Sequence, residues 1–208
     1  MLKSFAAVLC TAAAAFGQYK MEPVGAPPAE LAPAVAGVLN KQGARILGAN
    51  GSVFCEVWLR SSVPAGPKSN EESVTLPTIP HGSVLGAIRF PAAGADRRGQ
   101  VIKPGVYTLR FSYYPLNGDH QGAAPQRDFM VMTPAAEDKD PAPIPVFDAL
   151  MVMSRKASNT PHPAVLSFWK AETDFQPGFA KMGEQDWVWQ TKLGEMPVAI
   201  ILVGKTEA

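Results

Sequence analysis

Val106-Tyr-Thr-Leu-Arg-Phe-Ser-Tyr-Tyr114 is the stretch on which the fold turns. Tyr107, Leu109, Phe111 and Tyr113 alternate with Thr108, Arg110 and Ser112, a period of two that gathers the large apolar side chains on one face. One buried face and one wet face is the pattern of a strand in an antiparallel sheet. Lys103-Pro-Gly105 supplies the turn that leads into it.

The flanking sequence repeats the theme. Val84–Phe90 alternates Val84, Gly86, Ile88 and Phe90 against Leu85, Ala87 and Arg89. Ala44–Leu47 and Val53–Arg60 flank Gly48-Ala-Asn-Gly51, a hairpin with Asn-Gly at its turn. In its second arm Val53, Cys55, Val57 and Leu59 share one face, which leaves Trp58 beside Glu56 and Arg60 on the outward side. Downstream, Phe129–Met132, Ala164–Lys170, Asp186–Leu193 and Pro197–Val203 read as strands, the last apolar on both faces as a doubly covered strand should be. Leu31, Val35, Val38 and Leu39 recur at helical spacing between Ala29 and Asn40, and Pro33 fits only the first turn of such a helix. A second helix is expected over Phe147, Leu150, Met151 and Ser154, with Asp148 near its start and Arg155-Lys156 near its end to complement the dipole.

Residues 18–28 are Pro-rich and read as an extended lead-in, while 61–73 and 91–100 read as polar loops. Glu137-Asp-Lys-Asp-Pro-Ala-Pro-Ile-Pro145 is acidic and Pro-rich and is expected to run on the surface. Short strands separated by turn signals specify a mainly β domain over residues 29–208: an antiparallel β-sandwich or open barrel with one or two short helices. Tyr107, Leu109, Phe111, Tyr113, Cys55, Val57, Trp187 and Trp189 are the expected core.

Composition narrows the function classes. The 208 residues are 47% hydrophobic and 18% charged, which suits about one globular domain. Lys plus Arg is 19 against 18 Asp plus Glu, so no basic field exists to hold nucleic acid. No apolar run reaches the ~20 residues of a membrane-spanning helix.

Residues 1–17, MLKSFAAVLCTAAAAFG, have the form of a signal peptide. Lys3 gives a positive start, Ser4 to Phe16 an apolar stretch, and Ala15-Phe16-Gly17 the small residues of a cleavage site before Gln18. The expectation is an exported protein, periplasmic or extracellular, cleaved near Gly17–Gln18. Cys10 leaves with the peptide, so Cys55 is alone in the mature chain, which rules out an internal disulfide and a cysteine-built zinc site.

Cys55-Glu-Val-Trp-Leu-Arg60, Lys103-Pro-Gly-Val-Tyr-Thr-Leu-Arg110 and Gly118-Asp-His-Gln-Gly122 followed by Arg127-Asp-Phe129 together resemble a group of exported bacterial proteins of about 200 residues. The third stretch, GDHxG followed by RDF, is the distinctive one. The resemblance implies export and an all-β fold, and it carries no catalytic role or site residue.

From the residues themselves, the loop holding Asp119, His120, Arg127 and Asp128 is the leading candidate ligand site. It concentrates an imidazole, two carboxylates and a guanidinium that suit an oxyanion, a metal or acid–base work. The structural alternative is that Asn117-Gly118-Asp119 makes a turn and Arg127 pins the loop. On this reading His120 and Arg127 lie on a solvent-facing rim. Trp58 is a second candidate, as an outward aromatic able to stack on a sugar ring or seat a partner unless a loop or the first helix covers it. His81, His120 and His162 are metal-ligand candidates if they converge, though no local His-x-His spacing links them. Met130/Met132 and Met151/Met153 suit core filling better than copper. No phosphate loop or nucleophile elbow occurs in the sequence.

The expected function is therefore a non-enzymatic β-module with no cofactor, binding a small molecule, a glycan or a protein of the cell envelope. The alternative is a metal-dependent or hydrolytic enzyme built on Asp119, His120, Arg127, Asp128 and His81.

Overall fold

The computed structural model describes residues 19–114, 127–171 and 175–206. Its elements run β1 (Lys20–Val24), α1 (Pro33–Val38), β2 (Gly43–Leu47), β3 (Val53–Leu59), β4 (Val84–Phe90), β5 (Gly94–Ala95), β6 (Val101–Ile102), β7 (Gly105–Tyr113) and β8 (Asp128–Pro134). They continue with α2 (Phe147–Ser158), β9 (Val165–Lys170), β10 (Gly178–Met182), β11 (Asp186–Leu193) and β12 (Met196–Val203). Ten strands form one antiparallel sheet in the order β1-β2-β3-β4-β7-β8-β9-β12-β11-β10, and β5 pairs with β6 as a separate small hairpin. The sheet curls into a nearly closed barrel, the open-barrel form of the expected mainly β fold.

Local chemistry accounts for the turns and caps. Asn50-Gly51 closes the β2–β3 hairpin with Gly51 at φ 76°, a backbone state that glycine adopts without strain. Pro33 stands in the first turn of α1, where its missing N–H costs nothing. α2 carries Asp148 in its first turn and Arg155 and Lys156 in its last, and ends on Asn159 in the left-handed conformation.

The inner face of the barrel is the main core. Ile46, Cys55, Val57, Ile88, Leu109, Phe111, Met130, Met132, Phe168 and Ile200 are all fully or almost fully buried there. Burial pushes the Cys55 thiol well above its usual range, so this cysteine is an inert apolar filler. Tyr113 and Trp189 pack against the core while half-buried. Trp187 departs from its expected core place: it is half-buried at the end of β11, against the rings of Tyr19 and Phe179.

The outer face departs most from the alternation pattern. Thr108, Arg110 and Ser112, expected to be wet, are buried. The acidic segment after β8 folds back over them, and Asp138, itself buried, takes Arg110 into a bidentate pair: Nε donates to Oδ2 at 2.6 Å and Nη2 to Oδ1 at 2.5 Å. Nη1 donates to the Ala142 carbonyl at 2.8 Å and to that of Gly82, and Nη2 also donates to the carbonyl of Asp140. Thr133 donates its hydroxyl to Asp138 at 2.7 Å, and Thr108 does the same. Burial works to raise the Asp138 pKa, but Arg110 and the two hydroxyls outweigh it and hold the carboxyl below its ordinary value.

Elsewhere on the outer face, α1 and its flanking residues place Leu31, Val35 and Leu39 over Trp58, Val84 and Ala87, and α2 places Leu150 and Met151 over Phe129, Val131 and Val165. Among the described residues, no helix is long and apolar enough to cross a membrane.

Four strand segments are additions to the sequence expectation. β1 lies inside the stretch read as a lead-in, β5 lies inside a polar loop, β6 directly follows that loop, and β10 follows a segment with no strand signal. β1 and β10 are the two edges of the sheet.

Candidate functional site

Asp119 and His120 lie outside the described residues. Arg127 and Asp128 are described, and neither stands on a rim. Arg127 is 4% exposed. Its Nε donates to the Tyr114 carbonyl at 2.6 Å, Nη1 to the Glu72 carbonyl at 2.6 Å and Nη2 to Glu71 Oε2 at 2.7 Å. The guanidinium also sits over the Tyr113 ring, 5.1 Å from its centre. Asp128 is fully buried, and its Oδ2 accepts from the Thr75 backbone N–H at 2.7 Å and from the Thr75 hydroxyl. Burial raises its pKa, against the pull of those donors. The adjacent pair thus staples the long 61–83 connection to the start of β8, so the expectation of a solvent-facing Arg127 is corrected. The reason lies largely in residues far away in sequence: Glu71 and Glu72 take up the two terminal nitrogens of Arg127, and Thr75 takes up Asp128 Oδ2.

Trp58 is corrected in the same way. Its indole N–H donates to the Gly25 carbonyl at 2.7 Å, and α1 covers the ring, which leaves no exposed stacking platform. A Cβ at Gly43 would lie 2.6 Å from this indole nitrogen, so glycine there lets the ring lie against β2.

The histidines divide. His81 is held at both ring nitrogens: Nδ1 lies 2.9 Å from the Ile144 carbonyl and so donates to it, and Nε2 then accepts from the Ser112 hydroxyl at 3.0 Å. Its ring packs between Tyr113 and Phe147, and burial lowers its pKa. His162 is exposed, in the turn after α2. Among the described residues, no three His, Cys, Asp or Glu side chains gather in a way that could hold a metal ion.

What the topology does build is a seam. The sheet is joined through nine antiparallel pairings, so its edges β1 and β10 also run antiparallel to each other across the gap that remains. At one end the gap is bridged by rings: Tyr19 meets Trp187 at 5.7 Å and Phe54 at 5.7 Å, and Phe179 meets Trp187 at 5.4 Å. Beyond them it opens into a groove of about 680 Å³. Tyr19, Met21, Ala44, Gly178 and Phe179 line it, with Lys20 and Glu22 on the β1 side. Tyr19 also borders two smaller cavities at the same end of the barrel, of about 430 and 300 Å³, so one half-buried ring stands where three cavities meet.

Sequence reasoning missed this site because its borders carry weak signals. β1 contains Pro23, and β10, GFAKM, has a single inward aromatic. A scan of family models, a search of curated proteins and a search of solved structures each find no match to this chain.

Proposed function

We propose that the protein is an exported, non-enzymatic binding module that takes a small apolar molecule in the groove between β1 and β10. The observation that carries this reading is the seam itself. A groove of about 680 Å³ is lined by half-buried aromatic and aliphatic side chains beside the buried barrel core. Its volume falls in the range of roughly 300–1,000 Å³ usual for small-molecule sites, and such sites favour the mouths and openings of barrels. Of the described members of the enzymatic alternative, Arg127 and both ring nitrogens of His81 are engaged in structural hydrogen bonds, and Asp128 is fully buried with its Oδ2 held by Thr75, which supports binding over catalysis. Export rests on the signal-peptide form of residues 1–17.

A neutral, environment-sensitive dye such as N-phenylnaphthylamine tests the binding reading. The wild-type protein is expected to enhance its fluorescence saturably, and Phe179→Asp to abolish the enhancement while the melting temperature stays close to wild type. No enhancement by the wild type, or an undiminished one by the variant, removes the seam as the site. Mass spectrometry of the exported protein tests the other half, with a mature chain beginning at Gln18 as the expected result.

A further inference from the structure

The geometry points to a second binding site on the outer face of the sheet, over β9, β12 and β11, with the chemistry of a neutral glycan site. It is independent of the seam, since it lies on the opposite face of the sheet from the barrel core. Cross-strand register builds it. Trp169 on β9 stands opposite Ala199 on β12, and Ala199 stands opposite Gln190 on β11. Phe168, Ile200 and Trp189, their neighbours in sequence, belong to the core face, so alternation sends all three outward. There Ala171, Val188, Ala199 and Ile201 form an apolar cluster of their own, with Trp169 and Phe175 packed against it. Neither helix contributes to this cluster.

Two short side chains open the hollow. The buried Ala171 and Ala199 line a cavity of about 320 Å³ together with the half-buried rings of Trp169 and Phe175 and the amides of Gln176 and Gln190. Trp169 and Gln190 stand two strand spacings apart, about 10 Å, with only the Ala199 methyl between them. The cavity is at the small end of the roughly 300–1,000 Å³ of ligand sites, which suits a short saccharide rather than a protein segment. Trp169 thus supplies the open aromatic side chain that Trp58, covered by α1, does not.

The lining selects the class of occupant. None of the lining residues is charged, so an ionic ligand would lose hydration there without a counter-charge. Among the described residues, the Gln176 amide, the Gln190 amide and the Trp169 indole N–H make no hydrogen bond. A hydrocarbon occupant would cover the half-buried Gln190 amide and leave it without a partner. A neutral sugar ring meets both conditions. Its C–H face suits the electron-rich face of an aromatic ring, and its rim hydroxyls donate and accept, as a side-chain amide does.

The test is isothermal titration calorimetry of the wild-type protein with cellotetraose, maltotetraose and N-acetylated chitotetraose. Anionic tetragalacturonate and cationic, deacetylated chitotetraose serve as charged counterparts. At least one neutral tetrasaccharide is expected to bind with a millimolar or tighter Kd, and about tenfold tighter than either charged one. Gln190→Leu should weaken that binding about tenfold, the loss of one amide contact, at an unchanged melting temperature. Trp169→Ala should weaken it at least as much. Gln176→Ala changes an exposed side chain and should give a smaller loss, so the site stays testable even where Trp169→Ala does not fold. Phe179→Asp, in the seam, should leave glycan binding as in the wild type. Silence of all three neutral saccharides at millimolar concentration overturns the inference, as does tighter binding of a charged one. Undiminished binding by both glutamine variants, or its loss in Phe179→Asp, overturns the assignment to this face. A dimer in sedimentation that Phe175→Asp dissociates, without glycan binding by the wild type, overturns it in favour of a second copy of the chain.

Discussion

The strands at the middle of the sheet and the strands at its edges are of similar backbone and opposite surroundings. β7 is covered on both faces: the barrel core packs on Tyr107, Leu109 and Phe111, and the 135–146 segment closes over Thr108, Arg110 and Ser112. β10 has one neighbour, β11, and all its residues except Phe179 are exposed. The middle therefore carries the stability, while the edges expose main-chain groups and apolar side chains that a ligand can cover. Where a protein is tightly satisfied it has little left to offer a partner. The seam is one place where this one has something left.

The comparison breaks most sharply at Arg110. Its guanidinium is 1% exposed and bound to Asp138 and to three carbonyls, so Arg110→Ala leaves a buried carboxylate without its partner. Breaking a buried pair in this way costs about 3–5 kcal/mol, and urea titration should register a loss of that order. Arg110→Met with Asp138→Leu removes both charges together and should recover part of the loss. A single substitution that costs under ~1 kcal/mol would mean that the covering segment contributes nothing, and the contrast with the edges would fail.

Arg127 comes next. It holds the 61–83 connection through the Glu72 carbonyl and Glu71, the latter itself 39% exposed on its side chain and so contributing a screened charge, and it ties in the end of β7 through the Tyr114 carbonyl. Arg127→Ala is expected to cost about 2–3 kcal/mol in denaturant titration, mostly from the lost charge-assisted hydrogen bonds. A near-neutral result would return Arg127 to the status of a free loop side chain.

A smaller effect is one of pH. Burial holds His81 below its ordinary value near 6.5, so as pH falls the unfolded chain takes up this proton before the folded one does. The stability that neutral His81 contributes is complete above about pH 6.5 and declines from there toward the lower folded value. Thermal melts over this range should show the decline in the wild type, and His81→Gln should flatten it. Asp138, held low, adds a second decline as pH falls below its ordinary value of 3.8 toward the lower folded one. Both groups sit against the 135–147 segment, so acid loosens the cover of β7 and not the seam.

How far these features are legible in sequence follows the same division. Inside-facing alternation in Tyr107, Leu109 and Phe111 is a local signal, and it placed the strand and the core face. The outer face carries a misleading signal, because Arg110 beside Thr108 and Ser112 looks solvated while its partner Asp138 is 28 residues away in sequence. Trp58 illustrates the same limit: both the first helix and the outward Trp were readable, but their contact is tertiary. For Arg127 and Asp128 the residue types are legible and the role is not, since Glu71, Glu72 and Thr75, which hold them, lie in a loop more than 50 residues earlier. The seam had least to show, because an edge strand needs only half the apolar residues of a central one, and β10 has only Phe179 facing inward.

The smallest expected effect on stability is also the one that isolates the seam. Gly178 lies on β10 at the groove, and a Cβ added there meets no atom within 4 Å. Gly178→Leu therefore introduces no clash, and removing a glycine from a strand recovers roughly 0.5–1 kcal/mol of backbone entropy. The melting temperature should hold or rise slightly. The new side chain grows from a position that lines the groove, so dye binding should weaken at the same time. Stability and binding would then move in opposite directions at one residue, which a merely structural edge strand would not produce. If Gly178→Leu leaves dye affinity untouched while folding normally, the ligand does not lie against β10, and the occupied space must be sought on the Tyr19 side of the gap.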